Sequence, residues 1–352
     1  MLLADMGADV VRIERLSEPG TDRGPIVRGR TIVQLDLKEP DAVASVLALA
    51  ASADVLVEGF RPGVMERLGL GPDRLLGNRP GLVYARMTGW GQHGPRATTA
   101  GHDINYISLT GALDAIGSAS QGPAVPLNLL GDYGGGALYL VSGILAALLR
   151  ARSTGSGDVV DCAICDGVTS LMTLFHHLRD QGSWDGTRQA NQLDGGAHFY
   201  ATYECADGRH VAVGAIEPKF YAQLRSLAGW SDPEFDAQND RQKWPELRQK
   251  AAALFKRRTR DEWVTLFSGS DCCVSPVLTL DESRGDPHLA ARGSFVTLDG
   301  VVQPAPAPRF LRTPSKARPG PLHQSAAAVM RRWASGRDEP GDVACDGDDL
   351  RG

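Results

Sequence analysis

Two short blocks of the sequence each place a titratable side chain beside small residues. Residues 101–106 read Gly-His-Asp-Ile-Asn-Tyr and contain His102, and residues 129–136 read Leu-Leu-Gly-Asp-Tyr-Gly-Gly-Gly and contain Asp132. A histidine and a carboxylate are a minimal pair of groups for removing a proton from carbon and returning one. Their spacing along the chain fits two neighbouring helix starts, so we predict a proton-transfer site at which both helix starts face one cleft.

Asp132 has two interpretations. It is predicted to precede a helix, where aspartate is a common N-cap residue, and this alone would account for it. However, three glycines follow at 134–136, and each would cost on the order of 1 kcal/mol relative to alanine in a first helical turn. Such a cost is reasonable where a substrate or a neighbouring backbone approaches closely. We therefore favour a functional role for Asp132, with backbone N–H groups at this helix start as donors to an oxyanion.

His102 and Glu217 are the other candidate acid–base groups. His102 follows Gly101 and opens a segment, residues 103–113, that can be helical. Glu217 lies between a predicted hairpin and a predicted helix. There it either stabilises the helix start by its charge or orients the histidine. The sequence alone leaves both roles of Glu217 open.

Composition and charge exclude several classes of function. The chain has 352 residues and a formal net charge of −5, which is the balance of an ordinary globular protein and not of a nucleic-acid-binding protein. The longest apolar run, residues 138–149, is too short to span a bilayer, and no secretory or organellar signal is evident. We expect a cytoplasmic protein without nucleic-acid or membrane partners.

The cysteines do not indicate a metal centre. Six are present, and Cys162 and Cys165 form a CxxC pair within an apolar context. No second CxxC or histidine pair completes a zinc site. We interpret the pair as small buried hydrophobic residues and expect no metal.

Strands alternate with helices through the first part of the chain. The predicted strands are residues 9–15, 31–37, 54–58 and 82–87. This alternation predicts an α/β fold with a Rossmann-like, mostly parallel sheet in a large domain and a second, small α+β domain. Ligands bind such sheets at the carboxyl ends of the strands. Five basic residues near those ends could together hold phosphates, and these are Arg12, Arg15, Lys38, Arg61 and Arg67.

The domain organisation follows from changes in composition and pattern. The predicted parts are a large domain at 1–165, a linker helix at 166–199, a small domain at 200–282, a return segment at 283–330 and a disordered tail at 331–352. A βαβ unit should begin with a strand before the helix at 1–6. The strand and helix start that are missing would take about 20 residues on typical element lengths. Either the true start lies upstream of Met1 or the protein is truncated there, and the sequence leaves both open.

Six blocks of the sequence resemble the family III CoA-transferases (CaiB/BaiF), and within that family the racemases of 2-methylacyl-CoA thioesters. The blocks are residues 53–72, 84–95, 100–111, 126–136, 191–209 and 211–221. The resemblance runs from about Met1 to about Pro308, and it implies the family fold and an interlocked homodimer.

The resemblance also implies roles for individual residues. His102 and Asp132 would flank the α-carbon of the thioester, one removing its proton while the other returns a proton on the opposite face. Glu217 would pair with the histidine from the partner subunit. No metal and no cofactor beyond the CoA of the substrate would be needed. The CoA-binding residues implied are Arg15, Leu35, Lys38, Arg61, Arg67, Met87, Gly101, Asp103 and Tyr106.

Two alternative functions stay open. A family III CoA-transferase would use Asp132 as a nucleophile that forms an acyl-enzyme anhydride, and it would have no need of a second proton carrier such as His102. A truncated, non-catalytic CoA-binding homologue is the other alternative. The acyl chain of the substrate and the metabolic pathway are left undetermined by the sequence.

Overall fold

Short strands and helices alternate over most of the chain. The computed structural model describes residues 1–15 and 24–335. These residues separate into two units, of which unit 1 takes residues 1–88, 139–162 and those from 288 onward, and unit 2 takes residues 89–138 and 163–287. This grouping places residues 89–138 apart from the rest of the predicted large domain. The predicted domain boundaries stay predictions.

The elements are as follows. The strands are β1 (Val10–Glu14), β2 (Arg30–Gln34), β3 (Val55–Glu58), β4 (Val83–Thr88), β5 (Gly117–Ser118), β6 (Gly122–Pro123), β7 (Val159–Ala163), β8 (Tyr200–Glu204), β9 (His210–Gly214), β10 (Val274–Pro276), β11 (Phe295–Leu298), β12 (Val301–Pro304) and β13 (Leu322–His323). The α-helices are α1 (Leu2–Asp5), α2 (Pro40–Ala50), α3 (Val64–Arg67), α4 (Pro72–Asn78), α5 (Asp103–Ser108), α6 (Ala112–Ala115), α7 (Tyr139–Thr154), α8 (Ile164–Leu171), α9 (Thr173–Asp180), α10 (Pro218–Ala228), α11 (Trp244–Phe255), α12 (Arg260–Phe267), α13 (Leu280–Arg284), α14 (Pro287–Ala291) and α15 (Ala326–Ser335). A π-helix spans Leu129–Leu138, which we call the π segment. Short 3₁₀ helices span Gly24–Val27 and Pro233–Asp236.

Two sheets of unit 1 contain parallel strand pairs, as predicted, whereas β11 and β12 form a separate antiparallel pair. Strand β2 lies between β1 and β13 and is parallel to both. Strand β4 lies between β3 and β7 and is parallel to β3. The register aligns Glu14 with Gln34 and Glu58 with Arg86. The strands of each pair therefore end together, and the loops that follow them emerge at one edge.

The last described helix closes unit 1. Val329 of α15 is fully buried with Val33 and Leu49 of unit 1, and the indole Nε1 of Trp333 donates to the Asp9 carboxylate at 2.7 Å. Residues 331–335 are therefore helical, and the prediction that they belong to a disordered tail is wrong because α15 has an apolar face to bury. The remainder of the predicted tail, residues 336–352, lies outside the described residues.

A buried ion pair joins the beginning of unit 1 to its later segment. The Arg28 guanidinium donates to both Asp5 carboxylate oxygens, at 3.0 and 2.6 Å, and both side chains are only 2% exposed. The same guanidinium donates to the side chain of Gln303 at 2.8 Å and to the carbonyl of Pro304 at 2.7 Å. A guanidinium taken out of water requires such partners, because an unpaired buried charge costs several kcal/mol.

Unit 2 contains the predicted hairpin. Strands β8 and β9 pair antiparallel, and β10 adds to the other side of β9. A turn at Asp207-Gly208 joins the first two strands, with Gly208 in the left-handed region at φ 76°. Aromatic side chains fill the core behind the hairpin, where Phe199, Trp230 and others are buried among helices α10 to α12.

Two predicted helices are interrupted. The helix predicted at 103–113 divides into α5 and α6 at Gly111, which takes φ 81°. Within the predicted linker helix, 166–199, α8 and α9 are separated at Met172, and α9 ends at Asp180. Helix α4 was not predicted from the pattern.

The apolar run at 138–149 belongs to a longer helical stretch than the sequence predicted. Among the described residues, Leu129–Thr154 is long and apolar enough to cross a membrane by length and composition. The core helix of a soluble protein passes the same test, so this length alone does not establish a membrane span.

Candidate active site

His102 is the N-cap of α5. Its backbone is extended, at φ −131° and ψ 175°, and its carbonyl accepts from the N–H of Asn105 at 2.8 Å. The Asn105 side chain returns a bond by accepting from the His102 N–H at 3.0 Å. The backbone of His102 is therefore fixed on both sides while its side chain is exposed. The prediction that His102 opens a helix is confirmed.

Asp132 lies inside the π segment and not before it. The helical turns begin at Leu129, three residues before Asp132. The N-cap interpretation of Asp132 is therefore wrong, because an N-cap residue lies just before the first helical residue and Asp132 lies within the helical segment. The Asp132 carboxylate is half-buried and accepts from the Asn128 side-chain amide at 3.3 Å.

The glycines after Asp132 serve helix packing. A Cβ placed on Gly135 would lie 2.7 Å from the backbone nitrogen of Val168 in α8. A Cβ placed on Gly167 would lie 1.9 Å from the carbonyl oxygen of Gly135. The two backbones thus touch, and the close approach that the glycines predicted is to a neighbouring backbone.

A buried carboxylate joins the two predicted proton carriers. Asp103, the residue after His102, is 7% exposed, and its Oδ2 accepts from the backbone N–H of Asp132 at 2.7 Å. A Cβ on Gly131 would lie 2.4 Å from that oxygen, so only glycine admits the contact. Since the Asp132 N–H is bonded in this way, it is not free to act as the oxyanion donor predicted from the sequence.

Tyr106 lies beside the same segment. Its hydroxyl donates to the carbonyl of Gly101, and its ring meets Trp90 edge-on with centroids 4.8 Å apart. A Cβ on Gly89 would lie 1.9 Å from the Tyr106 ring, so the loop after β4 folds tightly around it. Burial, with a smaller contribution from the negative charge of Asp132, raises the pKa of Tyr106.

Glu217 begins α10 as its N-cap residue, and its side chain is exposed. Burial first, and the charge of Glu217 second, raise the pKa of the Cys273 thiol, so the two groups are neighbours. Within the described part of this single chain, no hydrogen bond or ion pair joins Glu217 to His102. Of the three predicted catalytic residues, His102 and Asp132 therefore lie on chain segments that contact each other through Asp103, and the role of Glu217 stays a prediction.

Unit 1 holds six of the predicted CoA-binding residues at or just beyond strand ends. Arg15 and Leu35 directly follow β1 and β2, and the N–H of Leu35 donates to the carbonyl of Glu14 at 2.8 Å. Arg15 and Lys38 are exposed, whereas Leu35 packs partly into the core. The basic side chains are thus accessible and Leu35 serves packing as well.

Arg61, Arg67 and Met87 lie near the carboxyl ends of β3 and β4. A Cβ on Gly59 would lie 3.5 Å from the Met87 carbonyl, and a Cβ on Gly63 would lie 3.2 Å from Arg67 Nη1. Arg61 and Arg67 are both exposed. This edge of unit 1 presents exposed guanidinium groups to solvent, and guanidinium groups bind phosphates well.

A buried charge network beneath this loop was not predicted. Arg86 and Glu58 are each 7% exposed. Arg86 Nε donates to Glu58 Oε1 at 2.9 Å, its Nη2 pairs with Glu66, and Glu58 Oε2 accepts from the Phe60 N–H at 2.7 Å. The sequence signal that could have indicated this network was the alternation of polar and apolar residues at the end of β4. The network fixes the backbone from which Arg61 projects.

The cysteines and acidic groups give no metal-ligand cluster in residues 1–15 and 24–335. Cys162 is buried and Cys165 is half-buried, and neither is in a disulfide among the described residues. Cys165 lies 3.6 Å from the Asp166 carboxylate, and burial raises its pKa first, with the charge of Asp166 adding to the effect. A thiol held in its neutral form is a poor nucleophile and a poor metal ligand.

The fold and the sequence together define the family. The sequence model of CoA-transferase family III matches residues 1–326, and the chain belongs to that family, which confirms the prediction. The chain is 43% identical over 344 residues to the alpha-methylacyl-CoA racemase of Mus musculus, covering 96% of this chain and 90% of the mouse protein. It is 44% identical to the racemase of the same name from Homo sapiens, covering 90% of this chain and 82% of the human protein.

Other relatives are named as transferases. A probable fatty acyl-CoA transferase of Mycobacterium tuberculosis is 31% identical, covering 90% of this chain and 86% of that protein. An orthorhombic crystal structure of a Mycobacterium tuberculosis protein superposes with a TM-score of 0.77 at 27% identity, covering 94% of this chain and 93% of that one. A CaiB/BaiF family protein from Brucella suis superposes with a TM-score of 0.79 at 24% identity, covering 94% and 93% respectively, and supports the fold alone.

Proposed function

We propose that this protein is an isomerase that inverts the configuration at C2 of 2-methylacyl-CoA thioesters. The observation that supports it most directly is the contact between the residue after His102 and the backbone of Asp132, at 2.7 Å. It supports a proton-transfer pair because His102 and Asp132 then belong to adjoining helical segments of one unit. The relatives named alpha-methylacyl-CoA racemase, at 43% and 44% identity, support the choice of substrate class.

The proposed reaction moves one proton off the α-carbon and another on. For one enantiomer the His102 imidazole takes the α-proton and becomes imidazolium, and the thioester becomes an enolate. The Asp132 carboxylic acid then delivers its proton to the opposite face and becomes a carboxylate. For the other enantiomer the roles exchange. Because a thioester α-proton is far less acidic than either side chain, the site must stabilise the enolate as it forms.

The accessible basic groups of unit 1 are proposed to hold the CoA. Arg15, Lys38, Arg61 and Arg67 are exposed near strand ends, and guanidinium and ammonium groups suit phosphates. Binding energy from the phosphates can be used to orient the thioester for reaction.

We also propose a homodimer in which the partner subunit supplies Glu217 to His102. Within the described residues of one chain Glu217 makes no hydrogen bond to His102, and its side chain is exposed and accessible to a partner. Large apolar side chains along Leu129–Thr154 are exposed, with Leu129 at 59% and Leu149 at 70%, and a second copy would cover them. The cytoplasmic location and the absence of a metal, expected from the sequence, stay predictions.

The test is proton exchange in D₂O. The purified protein is incubated with each enantiomer of a 2-methylacyl-CoA, and deuterium at C2 and the enantiomer ratio are followed together. We expect exchange with inversion, slowed by at least about 100-fold in His102→Ala and in Asp132→Asn. Matched controls are His177→Ala and Asp73→Asn, both exposed residues on helices α9 and α4, and these should behave as the unmodified protein.

A CoA-transferase is the second candidate, because several relatives carry that name. In that reaction the Asp132 carboxylate would attack the thioester carbonyl and release CoA thiolate, leaving an acyl anhydride on the enzyme. Hydroxylamine added during turnover would trap this anhydride at Asp132. Trapping together with CoA transfer to an added free acid, and without deuterium uptake, would replace the racemase by the transferase.

A further inference from the structure

Asp103 occupies an unusual position for a residue next to an exposed histidine. Its carboxylate points away from solvent and is 7% exposed, and its Oδ2 accepts from the Asp132 backbone N–H at 2.7 Å. Its other oxygen, Oδ1, is buried and has no hydrogen-bond partner among the described residues. A carboxylate is expensive to bury in this way. A role at the site would account for its retention here.

The surroundings of Asp103 are shaped to admit this contact. A Cβ on Gly131 would lie 2.4 Å from Asp103 Oδ2 and 3.1 Å from the Ile107 Cγ2 methyl group. Any side chain at 131 would therefore push the carboxylate away from Asp132. We call the hydrogen bond from the Asp132 N–H to the Asp103 carboxylate the joint. It requires both the carboxylate at 103 and the absence of a side chain at 131.

This joint links the two proton carriers mechanically. Asp103 is the first residue of α5, so its Cα is bonded through one peptide to that of His102. Its carboxylate holds the peptide whose N–H belongs to Asp132. The position of the Asp132 side chain relative to the His102 backbone therefore depends on one charge-assisted hydrogen bond, a kind about twice as strong as a neutral one.

We propose that Asp103 is a positioning residue for proton transfer, which sets Asp132 at the correct distance from the α-carbon opposite His102. The proposal rests on the proposed racemase function. It differs from the direct CoA contact expected for Asp103 from the sequence, because the observed Oδ2 is already bonded to the protein. Loss of this hydrogen bond is therefore expected to impair proton transfer by Asp132 and to leave proton transfer by His102 intact.

The test uses each enantiomer of the substrate separately. The variants His102→Ala and Asp132→Asn first establish which enantiomer loses its proton to which residue. In Asp103→Ala, proton removal from the enantiomer that faces Asp132 should fall on the order of 100-fold, as for a misplaced catalytic group. The enantiomer that faces His102 should still exchange deuterium, now with retention of configuration, and KM for both should change by less than about threefold.

Two further variants keep the test decisive if Asp103→Ala does not fold. Asp103→Asn retains an oxygen that can accept from Asp132 and should restore most of the activity. Gly131→Ala keeps the carboxylate but displaces it and should reproduce the asymmetric loss. Asp73→Ala is the matched control, because Asp73 is an exposed carboxylate in the first turn of α4.

The outcomes separate the two proposals. An equal loss of deuterium exchange for both enantiomers would overturn the positioning role and favour a general structural role. A raised KM with unchanged kcat would also overturn it and favour a CoA contact. If the unmodified protein neither exchanges nor inverts, the racemase function itself is wrong, whatever the variants show.

Discussion

Acidification is expected to destabilise unit 2 through His198, whose imidazole is completely buried. Its Nε2 lies 2.7 Å from the Tyr221 hydroxyl, and that hydroxyl donates to the Phe235 carbonyl at 2.8 Å. Nδ1 has no hydrogen-bond partner in the part of the chain that the structure describes. Burial, followed by the nearby charge of Arg225, lowers the pKa of His198 from 6.5 to about 4.

The sign of the effect follows from the lowered pKa. The unfolded chain, with its histidine pKa near 6.5, binds a proton at a higher pH than the folded chain does. Stability is therefore complete above about pH 6.5 and is lost progressively as the pH falls toward about 4. The difference between the two pKa values corresponds to roughly 3 kcal/mol, a large share of the 5–15 kcal/mol that is typical of a domain.

The assay is urea unfolding at pH about 7 and about 4.5, followed by tryptophan fluorescence. His198→Phe fills the same space without a titratable group, so acidification should cost the unmodified protein roughly 2–3 kcal/mol more than this variant. His177→Phe, at an exposed position, is the control and should show the unmodified pH dependence. Identical losses in the unmodified protein and His198→Phe would refute the assignment to His198.

Three further changes have expected effects on stability. Gly167→Ala should lower the free energy of unfolding by about 1–3 kcal/mol, because its Cβ would lie 1.9 Å from the Gly135 carbonyl oxygen. Gly77→Ala, whose Cβ would meet no atom within 4 Å, should raise it by up to about 1 kcal/mol. Arg28→Ala should lower it by about 3–5 kcal/mol, since it leaves the Asp5 carboxylate buried alone. Thermal and urea unfolding measure all three.

Controls for these changes come from the same contacts. The double variant Arg28→Met with Asp5→Leu replaces both charges and should recover most of the stability lost in Arg28→Ala. No recovery would show that the ion pair is not the cause. A loss in Gly77→Ala as large as that in Gly167→Ala would contradict the packing argument.

The secondary structure was predictable where the periodicity of apolar residues agrees with the turn or helix-start residues at the ends of an element. The hairpin at β8 and β9 and the helix after Pro218 follow from local patterns alone, and both are observed. The break of the predicted 103–113 helix at Gly111 depends on a left-handed residue between two short helices. Helical periodicity continues through such a break, so the pattern of apolar residues does not reveal it.

The site was predictable in its residues and less so in its geometry. The blocks around His102 and Asp132 contain the predicted proton carriers, and the two residues lie on adjoining segments. The early start of the π segment at Leu129 and the inward direction of Asp103 were missed. Both depend on tertiary contacts, because the glycines at 131 and 135 are explained by atoms that lie far away in the sequence.

The order of synthesis matters for a unit whose strands come from distant parts of the chain. Strand β2 pairs with Leu322 and His323, and Asp9 bonds to Trp333. At 5–20 residues per second on the ribosome, roughly 15–60 seconds separate β2 from its partner β13. Unit 2 uses only residues 89–138 and 163–287, so all of it is synthesised before the last strand of unit 1. During that interval β2 can pair with β1 but has an open edge where β13 will later add, and an open strand edge can pair with another chain.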